Sequence, residues 1–401
     1  MTNGKSIRVA RDLPGSGIRK IFNMASQKEK EGDRVFHLEI GRPYWQMPPG
    51  AASGVICALE SGFVNYIHNR GLIELREAIS NFIRGRTGYL YDPEAELIVT
   101  CGASEAIAMI MLAFVSSGDE VIVLEPAWPH YVACIKMAGG TPVRVPRAID
   151  NGYGFQREAV SAAITDRTKL IVINNPCNPT GAVYSAEELR DLSEIARKYG
   201  LLVVSDEIYK DFVWGDQYTS MVEIMADRDS LILVDGFSKS YAMTGWRIGY
   251  VAASPEVSDA LNRVHQYLTV CGVAFAQKGA TKVLQNPKLP EYNEKMRAAF
   301  LERHNVWCEA LVDCPGVEFY RPGGAFYFFP KIDLPDMDGH SFCMKMLNEY
   351  GLAMVPGDVF GVGYEQHVRI AYGGNLEIQR EAAHIFSGAL REMAENQYLT
   401  H

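Results

Sequence analysis

The sequence predicts an α/β fold, a mainly parallel sheet sandwiched by helices, with a smaller α+β domain after it. Short runs rich in Val, Ile and Leu recur over the first two thirds of the chain, separated by amphipathic segments that carry helix start and stop signals. After about Asn262 that alternation fades into a different pattern. The runs at Leu97–Thr100, Val121–Leu124, Leu170–Ile173, Leu201–Ser205, Leu231–Val234 and Ile248–Ala252 are short and apolar throughout, as strands covered on both faces are. Between them, Ser104–Val115 reads as a helix closed by Gly118-Asp119. Ser185–Tyr199 reads as another, with Ser185 and Glu188 in capping-box spacing and Gly200 as the stop. The C-terminal part predicts a long helix over Glu291–Val312, segments at Val317–Pro330, Ser341–Tyr350 and Val368–Tyr372, and a last helix from Leu376. The expected organisation is an arm and part of the small domain over residues 1–49, a large α/β domain over 50–285, and a small α+β domain over 286–401.

Composition narrows the function classes. The 401 residues are 48% hydrophobic and 22% charged, enough apolar content for large cores, which excludes disordered and low-complexity readings. A formal net charge of −9 offers no overall field for nucleic acid or an anionic membrane. The longest apolar run, Ala106–Val115, is about half of the roughly twenty residues a bilayer span needs. Met1–Lys20 lacks the apolar stretch of a secretory signal. The eight cysteines include no C-x-x-C pair and read as reduced, so the cytoplasm is the expected compartment. Neither a dinucleotide fingerprint nor a metal-ligand cluster is present; Gly15-Ser16-Gly17 and Gly323-Gly324 lack the required strand and spacing.

In open α/β sheets ligands sit beyond the carboxyl ends of the strands, so the residues following each strand are the candidates for chemistry. Leu97–Thr100 runs into Cys101-Gly102-Ala103-Ser104, a glycine turn opening a helix whose free N–H groups suit a phosphate. Val121–Leu124 leads to Trp128, an aromatic face, and Leu170–Ile173 to Asn174-Asn175-Pro176-Cys177-Asn178-Pro179, a turn that pins a side-chain amide. Leu201–Ser205 ends in Asp206-Glu207-Ile208-Tyr209, and Leu231–Val234 in Asp235-Gly236-Phe237-Ser238-Lys239. Taken singly, a strand-end Asp is usually a cap and a Lys a solvated charge. Together, phosphate donors, a stacking ring, an amide, a carboxylate and an amine form the set that pyridoxal 5′-phosphate requires. Arg369 adds a cation flanked by Val368 and Ile370 in a strand pattern. It is hard to bury without an anion, either a bound carboxylate or an internal Asp partner.

The run Gly236-Phe237-Ser238-Lys239-Ser240-Tyr241-Ala242-Met243-Thr244-Gly245-Trp246-Arg247-Ile248-Gly249 resembles the signature of class I/II aminotransferases, fold-type I pyridoxal-phosphate enzymes of the aspartate aminotransferase kind. The resemblance extends from about Leu13 to about Gly374. It implies Lys239 as the Schiff-base lysine and proton carrier, Asp206 as partner of the pyridine nitrogen, Asn178 and Tyr209 as donors to the phenolate, and Trp128 as the stacking ring. Gly102, Ala103, Ser104, Ser238 and Arg247 would form the phosphate cradle, with Tyr66 reaching the cofactor of a neighbouring subunit in a homodimer. The substrate carboxylate would lie on Arg369, with Gly41, Trp128 and Asn178 as further substrate contacts.

The implied reaction moves an amino group between an L-amino acid and a 2-oxo acid by ping-pong kinetics, with aspartate-type or broad specificity and glutamate with 2-oxoglutarate as one pair. Lyases, decarboxylases and synthases share this scaffold and form the alternative; a sensor domain of a regulator would need a fused DNA-binding module or a lost lysine. Three features depart from the family pattern. Gly236 stands where a phosphate-binding Ser or Thr is common, Arg42-Pro43-Tyr44-Trp45 follows Gly41, and no cation is matched to a distal carboxylate. Arg19, Arg42, Arg70 and Lys136 are candidates for that last role and read first as surface charges; His130 reads first as structural and Cys177 as a small filler.

Overall fold

The computed structural model describes residues 13, 15–215 and 218–398. Its strands are β1 (Phe36–His37), β2 (Leu97–Thr100), β3 (Glu120–Glu125), β4 (Thr141–Pro146), β5 (Thr168–Asn174), β6 (Leu202–Asp206), β7 (Leu231–Gly236), β8 (Gly249–Ala253), β9 (Val317–Glu318), β10 (Tyr327–Phe328), β11 (Lys331–Ile332), β12 (Leu352–Ala353), β13 (Val355–Pro356) and β14 (Val368–Ala371). Seven of them form one sheet in the order β2-β8-β7-β6-β5-β3-β4. The pairs from β4 to β7 are parallel, and β8 alone runs against both of its neighbours. The carboxyl ends of β2 to β7 therefore share one edge.

Each central strand divides its side chains between two cores. Ile122, Leu124, Ile171, Ile173 and Val203 enter one, under the helices Ile73–Thr87, Ala186–Tyr199 and Ala274–Leu284. Val121, Val123, Leu170, Val172 and Val204 enter the other, under Ala103–Phe114, His130–Met137 and Pro255–Leu268. With both faces covered, both phases of the strand must be apolar, which is why these strands read as unbroken hydrophobic runs.

The sequence reading missed β4. Its Thr-Pro-Val-Arg-Val-Pro run carries two prolines and exposed side chains, tolerated because β4 is an edge strand with no second neighbour to receive its N–H groups. Helix ends agree with the expected signals to within a residue or two. Ser185 and Glu188 make the reciprocal capping box, and Gly200 stops the helix in the left-handed region at φ 66°. The long C-terminal helices span Leu289–Leu311 and Leu376–Tyr398, and the Trp307 indole N–H of one donates to Gln379 of the other at 2.8 Å.

The described residues before Ala51 contribute no strand to the large sheet and join the C-terminal part. β1 pairs parallel with β12, the Leu38 carbonyl accepts the Ala371 N–H at 2.7 Å, and Tyr44 N–H donates to Gly373 at 2.6 Å. This tether carries Gly41 to the edge where the large-sheet strands end. The small sheet β10-β14-β13 brings Tyr327 and Arg369 to the same place.

Ser185→Ala removes one capping hydrogen bond and leaves the packing of the helix intact. It is expected to lower unfolding free energy by about 1 kcal/mol, read as a shifted urea midpoint with an unchanged slope.

Candidate active site

A cavity of about 190 Å³ opens at the carboxyl edge of the sheet, between the strand ends and the C-terminal part. Asp206, the last residue of β6, is in register with Asn174 of β5 and Val234 of β7 and is 1% exposed. Its Oδ2 accepts the Tyr131 hydroxyl at 2.6 Å and its Oδ1 the Ile208 N–H at 3.2 Å. Burial pushes its carboxyl up to about 6, against the pull of these two donors. It is therefore mostly ionised at neutral pH, a negative charge aimed into the cavity.

Lys239 lies three residues beyond β7 and lines the same cavity. Its Nζ donates to the Gly41 carbonyl at 2.5 Å. Burial, helped by the cations Arg369 and Arg247, brings its ammonium down to about 8. A large neutral fraction near that pH is what a nucleophilic or proton-moving amine requires.

Arg369 is 1% exposed on β14. Nη1 donates to Asn178 Oδ1 at 3.1 Å, Nη2 donates to the Glu39 carbonyl, and Nε has no partner. The guanidinium carbon is 4.8 Å from the Tyr327 ring centroid and 4.9 Å from that of Phe360, so two aromatic rings fix its plane. Among the described residues no carboxylate forms an ion pair with it, which disposes of the internal Arg–Asp alternative. Leaving such a cation uncompensated costs on the order of several kcal/mol, so the site is built to receive an anion.

The other predicted elements converge on the same space. Gly102 has φ +81°, and a Cβ there would lie 2.4 Å from Arg247 Nη2, so glycine makes room for the guanidinium. Ala103 and Ser104 begin the following helix, where the first amides have no intrahelical acceptor. Arg247 holds the Cys101 carbonyl at 3.2 Å and lines the cavity with Ser238, Trp128, Tyr209 and Asn178. Gly41 also lines it; a Cβ there would meet the Tyr327 hydroxyl at 2.0 Å. Gly236 faces Gly249 across β7 and β8, and a Cβ at 236 would approach the Gly249 Cα and the Ile248 carbonyl to 2.9 Å. The absent hydroxyl is thus a packing requirement of this strand pair, which leaves no room for a serine without movement.

Other residues singled out in the sequence do not line this cavity. Tyr66 is 85% exposed and does not line the cavity of its own chain. Arg19, Arg42 and Lys136 do not line it either. Arg70, read as a surface charge, is instead buried, with Nη1 on Ser258 Oγ at 2.6 Å and Nη2 paired with Asp259. His130 does not line the cavity: its Nε2 lies 3.0 Å from the Ser104 carbonyl, its ring centroid is 4.5 Å from that of Trp128, and burial lowers its basicity. Cys177 is buried and does not line the cavity; its Sγ accepts from Arg147 Nη2 at 3.2 Å.

Sequence reasoning missed Tyr131 and Tyr327. Tyr131, three residues after Trp128, falls one helical turn on and could have been found by that spacing. Tyr327, whose hydroxyl is 2.7 Å from that of Tyr209, reaches the site only because β10 pairs with β14, and nothing in its local sequence signals it.

Residues 48–386 match the family Aminotransferase class I and II. The chain belongs to the class I and II aminotransferases. It is similar to the aspartate aminotransferase of Pyrococcus abyssi, 35% identical over 94% of this chain and 96% of the other. It is also similar to aromatic-amino-acid aminotransferase 2 of Thermococcus litoralis, 32% identical over 94% and 96%. The solved aspartate aminotransferase of Thermotoga maritima superposes with a TM-score of 0.90 at 34% identity, covering 96% of this chain and 99% of that one. The chain is an aminotransferase, with the fold-type I architecture that its sequence resembles.

In the cofactor-free aminotransferase, reductive methylation of Lys239 should rise with pH around a midpoint near 8, well below an ordinary lysine. Mass spectrometry of the labelled peptide provides the measurement, and a midpoint above 10 would contradict the burial argument.

Proposed function

We propose that this aminotransferase moves an amino group between an L-amino acid and a 2-oxo acid with pyridoxal 5′-phosphate as cofactor. The observation that carries the reading is the buried Arg369, which has an unpartnered Nε and lines a cavity that also holds Lys239 and Asp206. The donor set fits the cofactor part by part. The amides of Ala103 and Ser104, the Ser104 and Ser238 hydroxyls, Gly102 and Arg247 suit its phosphate. Trp128 suits the ring face, and Asp206 the pyridine nitrogen. Tyr209 and Asn178 suit the phenolate oxygen; the Asn178 carbonyl is held by Arg369, which leaves its amide N–H groups free to donate.

When bound, the cofactor supplies a conjugated sink for electrons released at the substrate Cα. Arg369 grips the substrate α-carboxylate in a two-pronged contact, with Gly41, Trp128 and Asn178 beside it. Lys239 in its neutral form would take the Cα proton and pass it on to the cofactor side rather than back to Cα, the shift that amino transfer requires. Asp206 keeps a negative charge against the ring nitrogen, and Tyr131 holds that carboxylate in place. The amino group stays with the enzyme between half-reactions, so the first 2-oxo acid leaves before the second binds, which is ping-pong kinetics.

Aspartate-type or broad specificity is supported by relatives named for aspartate and for aromatic amino acids; glutamate with 2-oxoglutarate is part of the same proposal as one pair. A homodimer in which Tyr66 reaches the neighbouring site is supported by the exposed apolar side chains of Ile56, Leu59, Val64 and Tyr66. A cytoplasmic setting is supported by eight free thiols. The proposed division remains 1–49 as arm and part of the small domain, 50–285 as the cofactor domain and 286–401 as the small domain.

Protein reconstituted with the cofactor should show a visible absorbance band that is lost in Lys239→Ala. Single additions of amino acids without acceptor should then convert the band in proportion to enzyme and release 2-oxo acid. Catalytic release of ammonia or carbon dioxide would instead assign the lyase or decarboxylase alternative, and absence of the band would overturn the cofactor assignment. Lys239→Ala is expected to lower kcat by about 10⁴-fold. Arg369→Lys, which loses the planar fork, is expected to lower kcat/KM by about 100-fold.

A further inference from the structure

Arg147 is buried at 3% exposure, outside the cavity lining and just beyond β4. Its guanidinium reaches four segments at once. Nη1 donates to the Tyr153 carbonyl at 2.9 Å and the Tyr184 hydroxyl at 2.7 Å; Nη2 donates to the Pro126 carbonyl at 2.7 Å and Cys177 Sγ at 3.2 Å. Its Nε points at the Glu125 carbonyl at 3.4 Å. Among the described residues no carboxylate forms an ion pair with it. A buried cation held only by neutral acceptors is an expensive choice where stability alone is at stake. What it secures is irregular backbone: carbonyls in loops that no regular strand or helix can satisfy.

Those loops carry site residues. Pro126 is two residues before Trp128, and Cys177 adjoins Asn178. The backbone of Arg147 extends the link. Its N–H donates to the Tyr364 hydroxyl at 3.1 Å, and that hydroxyl lies 2.8 Å from the Arg147 carbonyl and 2.7 Å from the Glu125 carbonyl. Across the same junction the Ala127 N–H donates to the Phe360 carbonyl at 2.9 Å, and Phe360 is one of the two rings stacked on Arg369.

We propose that Arg147 is a positioning residue for the reaction: through Pro126 it aims Trp128, through Cys177 it places Asn178, and through Tyr364 it seats the Phe360 ring that orients Arg369. A lysine would keep the charge but could not fork between Pro126 and Cys177 on one side and Tyr153 and Tyr184 on the other. The proposal rests on the cofactor site described above.

The test uses the cofactor-loaded enzyme carrying Arg147→Lys or Tyr364→Phe, with aspartate as amino donor and 2-oxoglutarate as acceptor. Three readouts are compared: thermal unfolding, circular dichroism of the visible cofactor band, and kcat and KM. Arg147→Lys is expected to fold, to change the dichroism of the band as the ring shifts against Trp128, and to lose about tenfold in kcat. Tyr364→Phe leaves the guanidinium untouched and keeps the result interpretable where Arg147→Lys fails to fold. It is expected to raise KM severalfold through Arg369 while the band keeps its dichroism. If the folded variants lose only thermal stability, with dichroism, kcat and KM unchanged, Arg147 is a scaffold residue and the proposal fails. If the unsubstituted protein shows no visible band, the cofactor reading fails and takes this inference with it.

Discussion

Parallel hydrogen bonding among β5, β6 and β7 is the constraint on which the site depends. It aligns Asn174 with Asp206 and Asp206 with Val234. The loops that follow therefore start from one line and deliver Asn178, Tyr209 and Lys239 into one cavity. Close packing on both sheet faces holds that alignment, since side chains interdigitated with the covering helices fit in one register.

The cavity gathers charges that burial opposes, and each is handled differently. Asp206 is held by Tyr131 and the Ile208 amide, yet its carboxyl remains raised to about 6. Lys239 yields the other way, its ammonium lowered to about 8 by burial and by neighbouring cations. Arg369 cannot shed its proton at any ordinary pH, so it stays a cation between two aromatic rings with part of its fork unspent. Opposite shifts in a carboxylate and an amine sharing one cavity are the electrostatic form of an acid–base site.

Much of this was legible before the fold was seen, for a physical reason. A buried parallel strand must be apolar along its length and must end in a turn, so strand ends are visible as a change of composition, and the chemistry of such a fold sits there. Asp206, Lys239, Asn178 and the Gly102–Ser104 turn were found that way. Edge strand β4 was not, because exposure and two prolines erase the signal. Gly236 was read as a lost hydroxyl, whereas the opposing Gly249 shows a strand pair that a Cβ at 236 would have to push apart. Arg70 read as a surface charge because its partners, Ser258 and Asp259, lie far along the chain.

By itself the sequence determined the elements, their order and the residue types waiting at the strand ends, since these follow from periodicity, capping and turn chemistry within a few residues of one another. Tertiary structure alone decided which distant groups meet. It placed the Tyr327 hydroxyl against Tyr209, hung the Gly41 carbonyl over Lys239, set Arg369 on Asn178 without a carboxylate, and made Arg147 a junction of four segments. Apart from that of Arg147 with Tyr153, these contacts join residues tens to hundreds of positions apart and leave no local period in the chain. Those of Tyr327 and Gly41 come into being only when β10 pairs with β14 and the N-terminal segment pairs with β12.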